Sequence, residues 1–152
     1  MQDFNFFPSK IQWQGAEDYE FPHGTTIYQG ISQLASPNTQ VIWNIGVNFT
    51  NVIDIQSATN DAASCDLIVI CLGEAAEAET PGDINDLSLS APQLELYTAM
   101  ENLGIPIVLV LVEARPRILG PAANADAILM TYLPSPIGGK VVAEILFGLV
   151  SP

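Results

Sequence analysis

From about residue 40 onward, apolar positions gather in short dense runs separated by stretches with helical spacing. The runs at 41–47, 66–72, 105–112 and 127–133 are the strand candidates. Three of them are almost continuously apolar, as strands covered on both faces should be. Helical spacing appears first at 25–35, where Ile27, Ile31 and Leu34 recur at intervals of four and three behind a Thr25 or Thr26 cap. An Ala-rich stretch at 54–64 predicts a shorter helix. The best-punctuated helix is 91–103, introduced by Ser90, with Pro92 just inside and Gly104 just beyond; its apolar stripe is read as Leu94, Tyr97, Thr98 and Met100. A last helix at 139–147 places Val141, Val142, Ile145 and Leu146 together and stops near Gly148. Strands alternating with helices predict an α/β fold: a three-layer sandwich with a mostly parallel central sheet and helices on both faces.

The opening of the chain breaks this pattern. Phe4, Phe6, Phe7, Trp13, Tyr19 and Phe21 are scattered among Pro, Gly and acidic residues without period. Residues 1–24 therefore read as an arm or interdomain linker laid on a surface, and 25–152 as the sandwich domain. At 152 residues and 49% hydrophobic, the chain holds one domain with a substantial core.

Charge narrows the partners. Seventeen acidic residues against four basic ones leave a formal charge of −13, which repels phosphate backbones and anionic membrane surfaces, so neither nucleic acid nor membrane is expected as a partner. No apolar run is long enough for a membrane span and the N-terminus lacks the pattern of a secretory leader, so the chain as given is expected to be soluble and untargeted. Cys65 and Cys71 end one apolar run, where an extended chain holds them about 20 Å apart, beyond disulfide reach. His23 is the only histidine. A zinc site of the usual kinds or a nucleophile–histidine system would have to include it.

Behind the second strand candidate comes a Pro- and Gly-bearing segment with five carboxylates in thirteen residues: Glu74, Glu77, Glu79, Asp83 and Asp86. Ligands of open α/β sheets bind beyond the carboxyl ends of the strands, where this segment lies. Crowded carboxylates raise at least one pKa and make that group a proton donor nearer neutral pH. The plainer alternative is a row of solvated charges. The spacing is not that of a calcium loop, and no glycine-rich phosphate loop follows any strand, so no metal and no cofactor are expected.

Leu72, Gly73 and Glu74, then Glu79 to Asp83, Leu87 to Leu89 and Gln93, resemble the segment of family 3 glycoside hydrolases, of β-glucosidase and exo-β-glucanase type, that carries the general acid/base on their second domain. Other stretches fit in order: Ile11 to Gly15 with its Trp-Gln-Gly, Gly24 to Ile27, Arg115 and Pro116, Tyr132 to Pro134, Gly138 and Gly139, and Leu146 to Gly148. The likeness runs from about Ile11 to Pro152. It implies a retaining β-glucosidase whose (β/α)8-barrel domain, absent from this chain, supplies an Asp nucleophile while this domain supplies the proton donor. Glu79 falls on the acid/base position. Its rival Glu77 would point the other way in extended chain. Trp13 falls where relatives place an aromatic ring against the sugar, although an aromatic in such an arm also serves as a plain anchor. Ser9 stands where some relatives carry a second Trp.

Departures from the family pattern are Ala114 before Arg115, and Pro134 to Gly138 in place of a stretch with an acidic residue at Ile137. Arg115 and Arg117 are expected to pair structurally with nearby acids such as Glu113, each pair worth at most about 1 kcal/mol at a surface. The implied partners are a β-glucoside or β-glucan and the barrel domain; the implied compartment is secreted, vacuolar or lysosomal. Two other readings stand beside this one: a standalone glycan-binding or interaction module, and, as a minor alternative, a flavodoxin- or receiver-like regulator.

Overall fold

In the computed structural model the described residues are 22–75 and 82–152. They form helices α1 (Ile27–Leu34), α2 (Ile55–Ala62), α3 (Ala91–Glu101) and α4 (Gly138–Leu146), strands β1 (Ile68–Gly73), β2 (Ile107–Val112) and β3 (Ala127–Met130), and a 3-10 turn at Gly120–Asn124. The sheet is parallel in the order β1-β2-β3, with Gly73 in register with Val112 and Leu111 with Met130. The arm expected at 1–24 lies outside the described residues except for its last three positions.

Strand alternation sorts the apolar side chains onto two faces. Ile68, Ile70, Leu72, Ile107, Leu109 and Leu111 join Ala58 and Ala62 of α2, Leu96, Tyr97 and Met100 of α3, and Ala122 of the 3-10 turn. On the opposite face Val69, Cys71, Val110, Val112 and Leu129 meet Ile27 and Ile31 of α1 with Val142 and Leu146 of α4. Helices thus cover both faces, and the three-layer sandwich expected from the pattern is the architecture observed. Leu72 and Leu109 are fully buried; burying a leucine contributes roughly 1.5–3 kcal/mol relative to leaving it exposed.

The two covers are built differently. On the α2/α3 side, side chains interdigitate. On the other side α1 and α4 meet backbone to backbone: a Cβ on Gly30 would collide with the carbonyl of Gly139, and one on Gly139 would collide with backbone atoms of Thr25 and Thr26. The N–H of Gly139 donates to the Thr25 carbonyl at 3.2 Å and that of Thr25 to the Pro136 carbonyl at 2.7 Å. Thr26 caps α1 in a reciprocal box with Gln29, each side chain accepting from the other's backbone N–H.

Several expectations are corrected. Residues 41–47 form no strand: Val47 makes only an antiparallel bridge with Val52. Asn44 donates to Ser57 and Asp61, and the Gly46 carbonyl accepts from Ile53 and Asp54, so the chain turns back into α2. Ile42 and Trp43 stay exposed, leaving this run without the cover a central strand needs. The strand expected to reach 133 ends at Met130, because Tyr132 takes a left-handed conformation (φ 55°). The buried stripe of α3 is Gln93, Leu96, Tyr97 and Met100; Thr98 is exposed and donates its hydroxyl to the Leu94 carbonyl. That of α4 is Gly138, Gly139, Val142 and Ala143, with Val141 exposed.

Candidate functional site

The carboxyl ends of the three strands converge on a small charged cluster. Gly73 closes β1 at φ 149°, and its Cα lies so near the Val112 carbonyl that a side chain would collide with it. Its peptide is clasped from the other side by Gln93, whose Oε1 accepts from the Gly73 N–H at 2.8 Å while Nε2 donates to the Gly73 carbonyl at 3.0 Å. The buried amide is thereby satisfied, and Ser90 Oγ takes a further bond from it.

Because Gly73 and Val112 are in register, the next residues of β1 and β2, Glu74 and Glu113, emerge as neighbours. Two carboxylates side by side in a buried setting require compensation. Glu74, only 9% exposed, receives it: Oε1 accepts from the Ala114 N–H at 2.9 Å and from Arg115 Nε at 3.2 Å, and Oε2 lies 3.6 Å from Arg117 Nη1. Arg115 Nη1 also donates to the Gly82 carbonyl at 2.6 Å. Glu113 is nearly inaccessible and, among the described residues, its carboxylate accepts only the Arg117 N–H, at 3.3 Å. Desolvation pushes its carboxyl above the ordinary glutamate range, with the Arg117 N–H opposing and the Glu74 charge adding to the rise. Glu113 Oε2 and Arg117 Nε have no hydrogen-bond partner among the described residues.

Beyond Gly82 the chain runs beside the segment that follows β2. Ser88 and Ile118 form a parallel bridge, the Leu89 N–H donating to the Ile118 carbonyl at 3.1 Å and the Ile118 N–H to the Leu87 carbonyl at 2.8 Å. Asp86 is exposed, and the backbone N–H of Ser88 holds its carboxyl below the usual range, helped by the Ser88 hydroxyl. The segment following β2 thus contacts both Glu74 and the stretch from Gly82 to Leu89.

Glu79, its rival Glu77 and the aromatic Trp13 lie outside the described residues. Of the remaining acidic positions Glu74 is an ion-paired anchor, whereas Asp83 and Asp86 are exposed. The arginines differ from expectation: both pair with Glu74 instead of Glu113, and the Arg117 side chain is only 12% exposed, so surface-pair energetics do not describe it. The signal for this was present in the sequence. Two parallel neighbours ending in Gly73-Glu74 and Val112-Glu113 place like charges together, and the chain's only two arginines follow directly. Cys65 and Cys71 are free, as their separation implied. Among the described residues no group of His, Cys, Asp or Glu is arranged to hold a metal ion, and no helix is long and apolar enough to cross a membrane.

The family model described as the glycosyl hydrolase family 3 C-terminal domain matches residues 9–152. The chain is 44% identical over 150 residues to a protein named lysosomal beta glucosidase from Dictyostelium discoideum, covering 93% of this chain and 18% of that protein. It is 30% identical over 132 residues to a beta-xylosidase from Formosa agariphila, covering 80% and 18% respectively. Among solved structures, a β-glucosidase from Erythrobacter marinus superimposes with a TM-score of 0.75 at 30% identity, over 84% of this chain and 21% of that one. The chain therefore spans about a fifth of the length of each of these relatives.

Proposed function

The chain belongs to the family of glycosyl hydrolase family 3 C-terminal domains, and from that premise we propose that it is the acid/base-bearing domain of a retaining β-glucosidase hydrolysing terminal β-linked glucose. The observation that carries this reading is the likeness to a protein named a beta glucosidase over nearly the whole chain, with Glu79 at the position of the family's proton donor.

In the proposed reaction Glu79 protonates the departing glycosidic oxygen and then takes a proton from the water that hydrolyses the glycosyl–enzyme intermediate. The nucleophilic Asp comes from a barrel domain, its carboxyl about 5–5.5 Å from that of Glu79. Residues 1–24 act as the connecting arm, 25–152 as the sandwich domain, and Trp13 as a face for the pyranose ring. With a proton donor and no nucleophile, the domain alone is inactive. Exposed apolar side chains on the segments leaving the strands' carboxyl ends (Ile84, Leu87, Ile118, Tyr132 and Ile137) support a covering partner on that side of the sheet. A relative named lysosomal supports a secreted or lysosomal route.

The test is hydrolysis of a chromogenic β-glucoside by the chain alone, by a family barrel domain alone, and by the two together, each repeated with Glu79→Ala. Activity is expected only from the mixture, and is expected to fall about 100-fold or more with Glu79→Ala. Binding of glucan oligosaccharides by the folded chain, with no activity on mixing, would replace this reading with a glycan-binding module.

A further inference from the structure

We propose that Arg115 is a positioning residue for the acid/base step, acting by holding together the two ends of the excursion that carries Glu79. The inference rests on the assignment of Glu79 made above; its geometry rests only on described residues.

Among the described residues Arg115 makes two polar contacts of different kinds. Nε meets Glu74 Oε1 at 3.2 Å and Nη1 meets the Gly82 carbonyl at 2.6 Å. Glu74 is the first residue after β1 and Gly82 lies eight positions on, so a single planar guanidinium sets the separation of the two ends of the intervening chain. Neither end is free to follow the arginine passively. Glu74 is held by its own N–H on the Val112 carbonyl, by the Ala114 N–H and by the charge of Arg117. The far side is tied back through Leu87, Leu89 and Ile118.

Glu79 stands five residues beyond Glu74 and three before Gly82, and Arg115 joins those two points directly. A chain with seventeen acids and only two arginines places both at this edge. Charge balance alone does not account for the second contact, because the Gly82 carbonyl is neutral. Arg117, which reaches Glu74 without bridging to Gly82, is the internal comparison. A lysine at 115 would keep the charge, but a compact ammonium lacks the fork that spans both acceptors. Displacing a reacting group by about 1 Å costs on the order of 100-fold in rate, so a fixed base for this excursion is a lever on catalysis.

The assembled two-domain enzyme should be assayed as wild type, Arg115→Lys, Arg115→Met, Arg117→Met and Glu79→Ala. Two substrates are compared: an alkyl β-glucoside, whose leaving group needs a proton, and a 2,4-dinitrophenyl β-glucoside, whose leaving group departs without one. Arg115→Met is expected to lose about 10- to 100-fold in kcat/KM on the alkyl glucoside, which reports the bond-breaking step that needs the proton, little in kcat/KM on the activated one, and to move the basic limb of the pH profile. Arg115→Lys should show the same selectivity to a smaller extent, and Arg117→Met a weaker one. In the chain alone, Arg115→Met should speed hydrogen exchange at the Glu74 and Ala114 amides while those of Leu109 and Val110 keep their protection.

Equal losses in kcat/KM on both substrates would mean a general structural defect and would overturn the inference, as would unchanged exchange at Glu74 and Ala114. A leaving-group-dependent loss in Glu79→Ala but not in either Arg115 variant would overturn the role of Arg115 and leave Glu79 as the proton donor. No such loss in Glu79→Ala would overturn both.

Discussion

The two covers of the sheet teach different lessons about how this fold is held. On the α2/α3 side the contact is made by side-chain volume: Leu96, Tyr97 and Met100 set against Leu72, Leu109 and Leu111. On the α1/α4 side it is made by the absence of volume, with Gly30 and Gly139 letting two helices touch through their backbones. The first arrangement distributes its free energy over many dispersion contacts and should weaken by degrees. The second rests on a steric condition that is met or not met.

The sharpest way to break the comparison is Gly139→Ala. The new methyl group meets backbone atoms of Thr25 and Thr26, which cannot rotate away, so α1 and α4 must separate. The expected loss is more than about 3 kcal/mol in urea unfolding, the upper range for overpacking; a loss below about 1 kcal/mol would mean the two helices slide apart at little cost. Leu109→Ala, on the other face, should cost about 2–4 kcal/mol through a cavity that partly collapses, with the slope of the unfolding transition unchanged.

A smaller effect distinguishes the faces without unfolding anything. Cys71 lies on the α1/α4 side, and burial pushes its thiol up to about 12, from an ordinary value of 9.0. A folded-state pKa raised above the unfolded one means that the neutral thiol is the form the fold accommodates. Its contribution is complete below pH 9 and is lost as pH climbs toward 12. At pH 8, Cys71 should therefore react with a thiol reagent far more slowly than Cys65, which is not in the sheet. Gly139→Ala should speed that reaction and Leu109→Ala should not. Equal acceleration by both would show that the two covers open as one unit.

Much of this architecture was legible in the sequence. The cores of β1 and β2 follow from runs that are almost continuously apolar, and the start of α1 from a threonine cap ahead of helical spacing, although the reciprocal bond of Gln29 is seen only in the fold. Residues 41–47 depart from the expected strand because β-branched and aromatic composition says nothing about whether neighbours cover both faces. The burial of Gln93 was hidden for a related reason. A polar residue breaks an apolar stripe on paper, while in the fold its amide has a peptide to hold. The contact of Gly30 with Gly139 needs both helices before it can be seen. At the candidate site, the Glu74–arginine cluster follows from strand register, which no single segment encodes, while Glu79 and Trp13 remain assignments by resemblance.

The clasp of Gln93 on Gly73 has one more consequence. At the last residue of an outer strand, a side chain occupies the donor and acceptor that another chain would need to add itself to the sheet. The amide imitates one peptide of a neighbouring strand and ends the row there. At this position the protein carries its own protection against edge-to-edge association, supplied by a glutamine from within the same helix that packs on the core.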